Sequence, residues 1–377
     1  MEKEVMQLNF SNDTTANVLI DAGATLAAAA VYKEYGKHGI IEEVTCDNYN
    51  EQNLKFKKSL LGFAAKQAGI NKVPTDATEM AFAMDNTVFR SIMNSINAQV
   101  IGTMMVKYRS PQLDNLTSVD NVKVGDSKTY EIDTKALPIA QKATYGSNVS
   151  MVPSYAMGSI TVTPKPYTIG VSLDFIRIVA NDYDWGRALA RVYAGLVFAQ
   201  YKLVVSQIFN PTILTGTPFY QENFSSAAYT QMASDIGMLN GGSADNVLAL
   251  GTRVAWNAIS ALATQGGFTT RDEYVRNGYL QKIYSVDSMV LDQFTNFSAP
   301  FTNANAAALR AIPDNLIVLV PTSADKICKL VREDYIRVIE TAANDNTLNR
   351  LEYTYFQNFD AKLATASYFG LQGTTAA

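Results

Sequence analysis

The sequence contains little of the chemistry that most enzymes need. It has one histidine, His38, and two cysteines, Cys46 and Cys328, in 377 residues. A Ser-His-Asp or Cys-His catalytic site could be built only around His38, which lies in a turn-like stretch between Gly36 and Gly39. Two distant cysteines and one histidine do not suffice for a disulfide framework or a zinc site. We therefore predict no catalytic residue and no metal site.

Phosphate-binding loops are also missing. Neither G-x-x-x-x-G-K-S/T nor G-x-G-x-x-G occurs, so the sequence predicts no nucleotide cofactor, and we predict no cofactor of another kind. The acidic segment 181–186 has part of the spacing of a calcium loop, but it lacks the bidentate Glu, and helix capping accounts for its acids better. None of the 35 acidic residues is marked by its context as half of a catalytic carboxylate pair. The sequence predicts that the protein is not an enzyme.

Excess positive charge and long apolar runs are the next absences. The chain carries 31 Lys and Arg against 35 Asp and Glu, a net charge of −4, which argues against a dedicated nucleic-acid-binding protein. The first residues do not show the basic-then-apolar order of a signal peptide. No uninterrupted apolar run reaches the ~20 residues that cross a bilayer. We expect synthesis in a cytoplasm and no membrane partner.

What the sequence does contain is a patterned stretch between Gly158 and Pro211. Ile160 and Val162 alternate with polar residues, which predicts a half-buried strand, and the same alternation resumes at residues 167–171. Pro164 and Pro166 interrupt this pattern and predict an edge or a bend, because proline cannot donate to a strand ladder.

A long amphipathic helix is predicted to follow this strand. Asp182 or Asp184 can cap it, and Pro211 ends it. From Asp184 to Asn210 it would measure roughly 40 Å, which is longer than most globular helices. Arg187 and Arg191 lie opposite the apolar stripe, whose members are Leu189, Val192, Tyr193, Leu196, Val197, Leu203, Val204 and Ile208. We interpret this helix as a strut.

The order of these elements resembles the major capsid proteins of tailed double-stranded DNA phages, which have the Hong Kong 97-type fold. The residues that carry the resemblance are the interrupted strands, the phrase Val171-Ser172-Leu173-Asp174, the acidic turn and the long helix. It extends from near Met105 to the C-terminus. It implies an α+β fold with an N-terminal helical arm, an extended β-hairpin loop, a spine helix, and peripheral and axial domains.

The resemblance also implies a division of the chain. Residues 1–107 would be the N-terminal helical arm region and residues 108–170 the extended loop. Residues 171–246 and 341–377 would form the peripheral domain with the spine helix, and residues 247–340 the axial domain. In the axial domain we expect a central strand at 316–320 and then a helix with Ile327, Leu330 and Val331 on one face. The N-terminal helices could pack in their own subunit or cross to a neighbour, and the sequence does not decide between these alternatives.

By the resemblance, the protein would self-assemble as hexamers and pentamers into an icosahedral head that encloses double-stranded DNA. Its partners would be further copies of itself, portal, scaffolding and decoration proteins, and DNA contacted without sequence preference. It would be located in the virion capsid after assembly in the host cytoplasm. An encapsulin-type compartment shell protein is the alternative within the fold, and an unrelated hydrolase or binding protein is the alternative outside it.

We predict that the long helix and the hairpin loop find their missing partners on sister molecules. A two-stranded ribbon is marginally stable alone in water and needs a surface to pack on. The candidate inter-subunit contacts are charged residues of the loop and helix together with residues near the loop tip: Asp126, Lys128, Glu131, Asp133, Lys135, Tyr145, Met151, Tyr155, Arg187 and Arg191.

Overall fold

A computed structural model of the chain describes residues 13–36, 40–108, 110–132, 158–174, 183–264, 282–294, 309–322, 325–341 and 350–376. These residues form a layer of helices, two β-sheets and a two-stranded ribbon. The predicted α+β class is confirmed. The helices are α1 (Thr14–Tyr35), α2 (Tyr49–Gln67), α3 (Ala77–Asp85), α4 (Thr87–Lys107), α5 (Pro111–Leu116), α6 (Trp185–Ile208), α7 (Ser226–Leu239) and α8 (Arg253–Thr264).

The N-terminal helices begin at side-chain caps that the sequence supplies. Asp13 accepts hydrogen bonds from the backbone N–H groups of Thr15 and Ala16, and Asn86 does the same for the first turn of α4. Asp76 accepts from the N–H of Glu79 at 2.7 Å, as the capping-box spacing predicts. These bonds satisfy donors that have no partner within the helix.

Helix α1 packs closely because its buried side is made of small side chains. It contacts α6, α4 and α2. A Cβ atom added to Gly23 would lie 2.7 Å from Cε2 of Phe56 on α2 and 2.9 Å from Cγ2 of Val100 on α4. The buried small residues of α1 are Ala16, Gly23, Ala24, Ala27, Ala28, Ala29 and Ala30. The N-terminal helices therefore form core with α6 of their own chain, which answers the question that the sequence left open.

Helix α6 is the predicted long helix, two residues shorter at its C-terminal end than expected. Asp184 caps it by accepting from the N–H of Arg187 at 2.9 Å, and a 3₁₀ turn at Pro211–Ile213 follows it. Of its 24 residues 14 are buried, Leu189, Tyr193 and Val204 among them. It packs against α1 and α4 and against the first sheet.

The first sheet is built around one long strand, β12 (Arg350–Leu363). Along one side β12 pairs antiparallel with β4 (Lys165–Asp174) over ten residues. Along the other side it pairs antiparallel with β10 (Cys328–Glu333) and β11 (Arg337–Thr341). Strand β1 (Thr117–Val122) adds to β10 in parallel. Because β4 leads into the segment before α6, the sheet and the helix are linked in sequence as well as packed.

The second sheet has the strand order β5-β13-β9-β6-β8-β7. Both of its faces are covered, since Ile317 and Leu319 join a small core with Trp256 while Val318 and Leu371 join the large core. This explains why β9 is apolar throughout, as predicted for a central strand. The strands are β5 (Tyr220–Phe224), β6 (Val247–Thr252), β7 (Lys282–Ile283), β8 (Val286–Leu291), β9 (Leu316–Pro321) and β13 (Gly370–Ala376).

The last strands of the chain are shared between the two sheets. Strands β10 and β11 belong to the first sheet, whereas β13 belongs to the second. The predicted helix around Ile327, Leu330 and Val331 is wrong. Residues 328–333 form a strand with both faces buried, so their apolar side chains are not confined to one helical face.

Two helical segments, Thr14–Tyr35 and Trp185–Ile213, have the length and mean hydropathy of a membrane-spanning helix. In each, 61% of the most apolar window is buried inside the subunit. Since α1 and α6 pack against each other, their apolar character is accounted for by the core.

The close approach at Gly23 predicts a destabilising effect of Gly23→Ala. The added methyl group overlaps Phe56 and Val100, and overpacking of this kind costs about 1–3 kcal/mol. The matched control is Gly102→Ala on α4, where nothing lies within 4 Å of the added Cβ. Both variants gain about 1 kcal/mol of helix propensity, so their difference isolates the packing effect.

Urea unfolding monitored by circular dichroism should place Gly23→Ala about 1–3 kcal/mol below Gly102→Ala in unfolding free energy. Equal stability of the two variants would show that α1 does not approach α2 and α4 as closely as described.

Candidate assembly surfaces

The described residues offer no obvious reactive centre. Among them, no group of three or more His, Cys, Asp or Glu side chains could hold a metal ion. His38 and residues 181–182 lie outside the described residues. Both cysteines are free, and burial raises the pKa of the Cys328 thiol to about 12, which keeps it protonated and unreactive at neutral pH.

The N-terminal end of α6 is fixed to the helical layer by side-chain hydrogen bonds. The hydroxyl of Tyr49 donates to Asp184 at 2.7 Å, and the indole N–H of Trp185 donates to Asn97 at 3.0 Å. Burial, and then the hydrogen bond to Asp184, raise the pKa of Tyr49. The hydroxyl therefore remains a donor at neutral pH. The carboxylate of Asp184 thus caps α6 and also links α6 to Tyr49 of α2.

The exposed side of α6 is basic. Arg187 and Arg191 are exposed, and Arg187 forms an ion pair with Glu34 of the same chain. The opposite, apolar side is buried by α1, α4 and the first sheet. The prediction that this helix needs a sister molecule to cover it is wrong for the apolar stripe. What the helix offers to a neighbour is its charged side.

The ribbon consists of β2 (Lys128–Ile132) and β3 (Gly158–Val162), paired antiparallel. The strand predicted from the alternation of Ile160 and Val162 is confirmed as β3, and Tyr130 and Ile132 alternate with polar residues in the same way on β2. The hydroxyl groups of Thr129 and Thr161 lie 2.9 Å apart across the two strands. Residues 133–157 lie outside the described residues.

The described part of the ribbon is seated on the first sheet of its own subunit. Val162 packs against Val122 and Val331 in a small cluster, with Tyr130 beside it. The Tyr130 hydroxyl donates to Asp120 on β1, and the ammonium group of Lys362 on β12 donates to the backbone oxygen of Thr161 at 2.8 Å. Burial, followed by the hydrogen bond to Asp120, raises the pKa of Tyr130.

The sheet surface around this seat is rich in charge. Glu333 is buried and accepts hydrogen bonds from the N–H of Gly125 and the side chain of Asn358, both at 2.9 Å. Lys329 is buried and pairs with the exposed carboxylate of Asp325. Because the apolar cluster is small, the ribbon's position depends on specific polar contacts more than on buried apolar area.

The predicted contact residues lie on separate elements. Arg187 and Arg191 lie on α6, and Asp126, Lys128 and Glu131 are exposed on the turn before β2 and on β2 itself. The other predicted contacts are outside the described residues: Asp133, Lys135, Tyr145, Met151 and Tyr155. The sequence reasoning missed Asp120 and Lys362, which hold the ribbon's base, because their roles depend on pairing between distant strands.

The fold can be compared with solved structures. The chain is similar to a subunit in the capsid of a native GTA particle computed with C5 symmetry, with 12% identity, a TM-score of 0.49, and coverage of 71% of this chain and 90% of that one. The capsid structure of the cyanophage P-SCSP1u is 11% identical, with a TM-score of 0.46 and coverage of 70% of this chain and 88% of that one. The mature capsid of bacteriophage PhiM1 is 11% identical, with a TM-score of 0.45 and coverage of 68% of this chain and 85% of that one.

No protein-family model and no curated protein matches the sequence.

The seat of the ribbon predicts a local effect of Tyr130→Phe. This change removes the hydrogen bond to Asp120, and since the site is partly exposed we expect a loss of about 1 kcal/mol. Hydrogen exchange of the amides in Lys128–Ile132 and Gly158–Val162 should become about fivefold faster, with global unfolding little changed.

The matched control is Thr129→Val, which removes an exposed hydroxyl pair on the same strand and keeps a β-branched side chain. We expect exchange in this variant to stay within about twofold of wild type, because exposed neutral hydrogen bonds contribute little net free energy. An equal acceleration in both variants would count against the Tyr130–Asp120 contact as the anchor.

Proposed function

We propose that the chain is the major capsid protein of a tailed phage, which self-assembles as hexamers and pentamers into an icosahedral head around double-stranded DNA. The observation that carries this proposal is the ribbon, which leaves the first sheet between β1 and β4 and rests, among the described residues, on only a small apolar cluster with a few polar anchors. A two-stranded ribbon with so little apolar support needs a further surface. A neighbouring subunit supplies that surface.

The order of the elements supports the same function. The ribbon continues into β4, which pairs with the central strand β12, and the chain then enters α6. A force on the ribbon is therefore passed within a few residues to the first sheet, and from that sheet to α6, the longest of the described helices, which packs against it. This is a suitable connection for a subunit that must hold its neighbour in a fixed orientation.

The proposed contact can close into rings. The ribbon and the basic side of α6 are different surfaces, so the ribbon of one copy can contact α6 of a second copy, whose own ribbon contacts a third, and such a contact is heterologous. Heterologous contacts that close by rotation give rings such as hexamers and pentamers. In this arrangement Asp126, Glu131 and Asp133 of one copy face Arg187 and Arg191 of the next.

The remaining predicted contact residues lie on the ribbon side of this proposed interface. Lys128 and Lys135 add cations to the ribbon, and Tyr145, Met151 and Tyr155 supply apolar and aromatic contacts beyond it. Exposed ion pairs are worth about 0–1 kcal/mol each, so the charges set the register and the aromatic side chains supply most of the affinity. Portal, scaffolding and decoration proteins would be the other partners, and the virion, assembled in the host cytoplasm, the final location.

Self-association is the direct test of this function. The purified chain should form capsomers, shells or sheets, seen by size-exclusion chromatography and negative-stain electron microscopy over a range of protein and salt concentrations. Five-fold or six-fold rings would support heterologous closure. A 41.2 kDa monomer under every condition would overturn the proposal.

Removing residues 144–157 tests the role of the ribbon. This segment lies between β2 and β3, and the core described above is formed by other elements, so the variant should keep the wild-type melting temperature and circular dichroism spectrum but lose most of its assembly.

A second variant, with residues 144–157 replaced by a Gly-Ser segment of equal length, separates chain length from side-chain contacts. We expect it to assemble as poorly as the deletion, because it lacks Tyr145, Met151 and Tyr155. Wild-type assembly of the Gly-Ser variant would refute these three contacts, and wild-type assembly of the deletion would refute the ribbon assignment altogether.

A further inference from the structure

The solvent side of α2 carries a row of lysines that no contact described above uses. Lys55, Lys58 and Lys66 are exposed, and they lie at helical spacing on the side opposite the buried Phe56, Leu60 and Ala64. Ser59 and Gly62 lie between them. We call these residues the lysine face: Lys55, Lys58, Ser59, Gly62 and Lys66.

The charge of this face is unlike that of the chain as a whole. The chain has more acidic than basic residues, yet the 19 residues of α2 contain four lysines and one acid, Glu51. Glu51 pairs with Lys55 at 2.7 Å, and α2 contains no second acid that could pair with Lys58 or Lys66. The pKa of the buried Lys57 is lowered, first by burial and then by Lys58. Neighbouring like charges on one helix are mildly destabilising, and an external anion would relieve this repulsion.

The shape of the face suits a phosphate backbone. From Lys55 to Lys66 the helix rises about 16 Å, a length over which one strand of duplex DNA presents roughly five phosphates. The centre of the face is recessed relative to the lysines, because Gly62 has no side chain. The space above Gly62 is open, since the nearest atom to a Cβ added there would be Cγ2 of Val73 at 3.8 Å. Long lysine side chains on either side of a low centre can reach a curved, charged surface.

A protein partner fits this face less well. The centres of protein interfaces are depleted of lysine and enriched in aromatic residues. The lysine face has no aromatic residue, and its exposed apolar neighbours are single aliphatic side chains, Leu54 at its margin and Val73 beside Gly62, which are 39% and 40% exposed. The chemistry therefore favours a polyanion over an acidic surface of a second copy.

We propose that the lysine face binds the phosphate backbone of double-stranded DNA without sequence preference. The inference rests on the proposed function, and it orients the subunit in the shell, since α2 must then face the interior. Three phosphate contacts give weak binding by one subunit, which agrees with the mildly acidic chain. Many copies in a shell would add such contacts into substantial retention of DNA.

The test compares two triple variants of the full-length protein. The first is Lys55→Gln, Lys58→Gln, Lys66→Gln, and glutamine is chosen because its helix propensity is close to that of lysine. The matched control is Lys33→Gln, Lys123→Gln, Lys282→Gln, which removes the same charge from three exposed, scattered positions. Binding to a 30-base-pair duplex of random sequence is measured by fluorescence anisotropy from 20 to 200 mM salt, and assembly is followed by electron microscopy.

We expect the lysine-face variant to bind at least tenfold more weakly at 50 mM salt, with the slope of log K against log salt reduced by about 2 to 3. The control should keep the wild-type slope. Equal losses in both variants, or no binding by wild type at 20 mM salt, would overturn the inference. So would a variant that loses self-association while its DNA affinity is unchanged, because the face would then bind a second copy.

The two proposals fail separately. Normal shells from the lysine-face variant with unchanged DNA affinity would remove this inference and leave the assembly function in place. A wild-type protein that never assembles, but whose DNA binding depends on the lysine face, would remove the assembly function and leave DNA binding by the lysine face in place.

Discussion

The close packing of α1 against α4 and α6 is the constraint on which the rest of the subunit depends. It is possible only because α1 presents alanine and glycine on its buried side, so that the helix backbones come near each other. This contact fixes the position of α6, and Asp184 and Trp185 then lock its first turn to α2 and α4. The first sheet packs on the other side of α6, and the ribbon rests on that sheet.

Local signals in the sequence were enough to place the long helix. Asp184 marked its start and Pro211 marked its stop, because capping and the missing proline N–H act within a few residues. The alternation of Ile160 and Val162 with polar residues also predicted β3 correctly. These features need no knowledge of the rest of the chain.

The sequence did not reveal how the strands are distributed between the sheets. Strands β10 and β13 are buried on both faces or paired with distant strands, so their patterns do not say which partner they choose. Arg332 shows the same difficulty. Its buried guanidinium donates to the backbone oxygen of Met105 at the end of α4 and to Asn121 on β1, both at 2.7 Å, and no local pattern predicts a contact across more than 200 residues.

The length of α6 was interpreted as a sign that the helix lacks a partner, and this interpretation was wrong in an instructive way. A long amphipathic helix can be covered on one side by helices and on another by a sheet of the same chain, as α6 is. Length alone therefore does not distinguish a strut between subunits from a core helix. The exposed charges of α6 are what remain available to another molecule.

The described helices and sheets form a core within one chain, so any association between copies must use its surface. The ribbon rests on a small apolar cluster and a few polar anchors, among them the hydrogen bond from Tyr130 to Asp120. Contacts made by such a ribbon are added to a folded chain and do not create it. A change in the angle of the ribbon would alter the contacts of Val162 and Tyr130 and leave the packing of α1 against α6 unchanged.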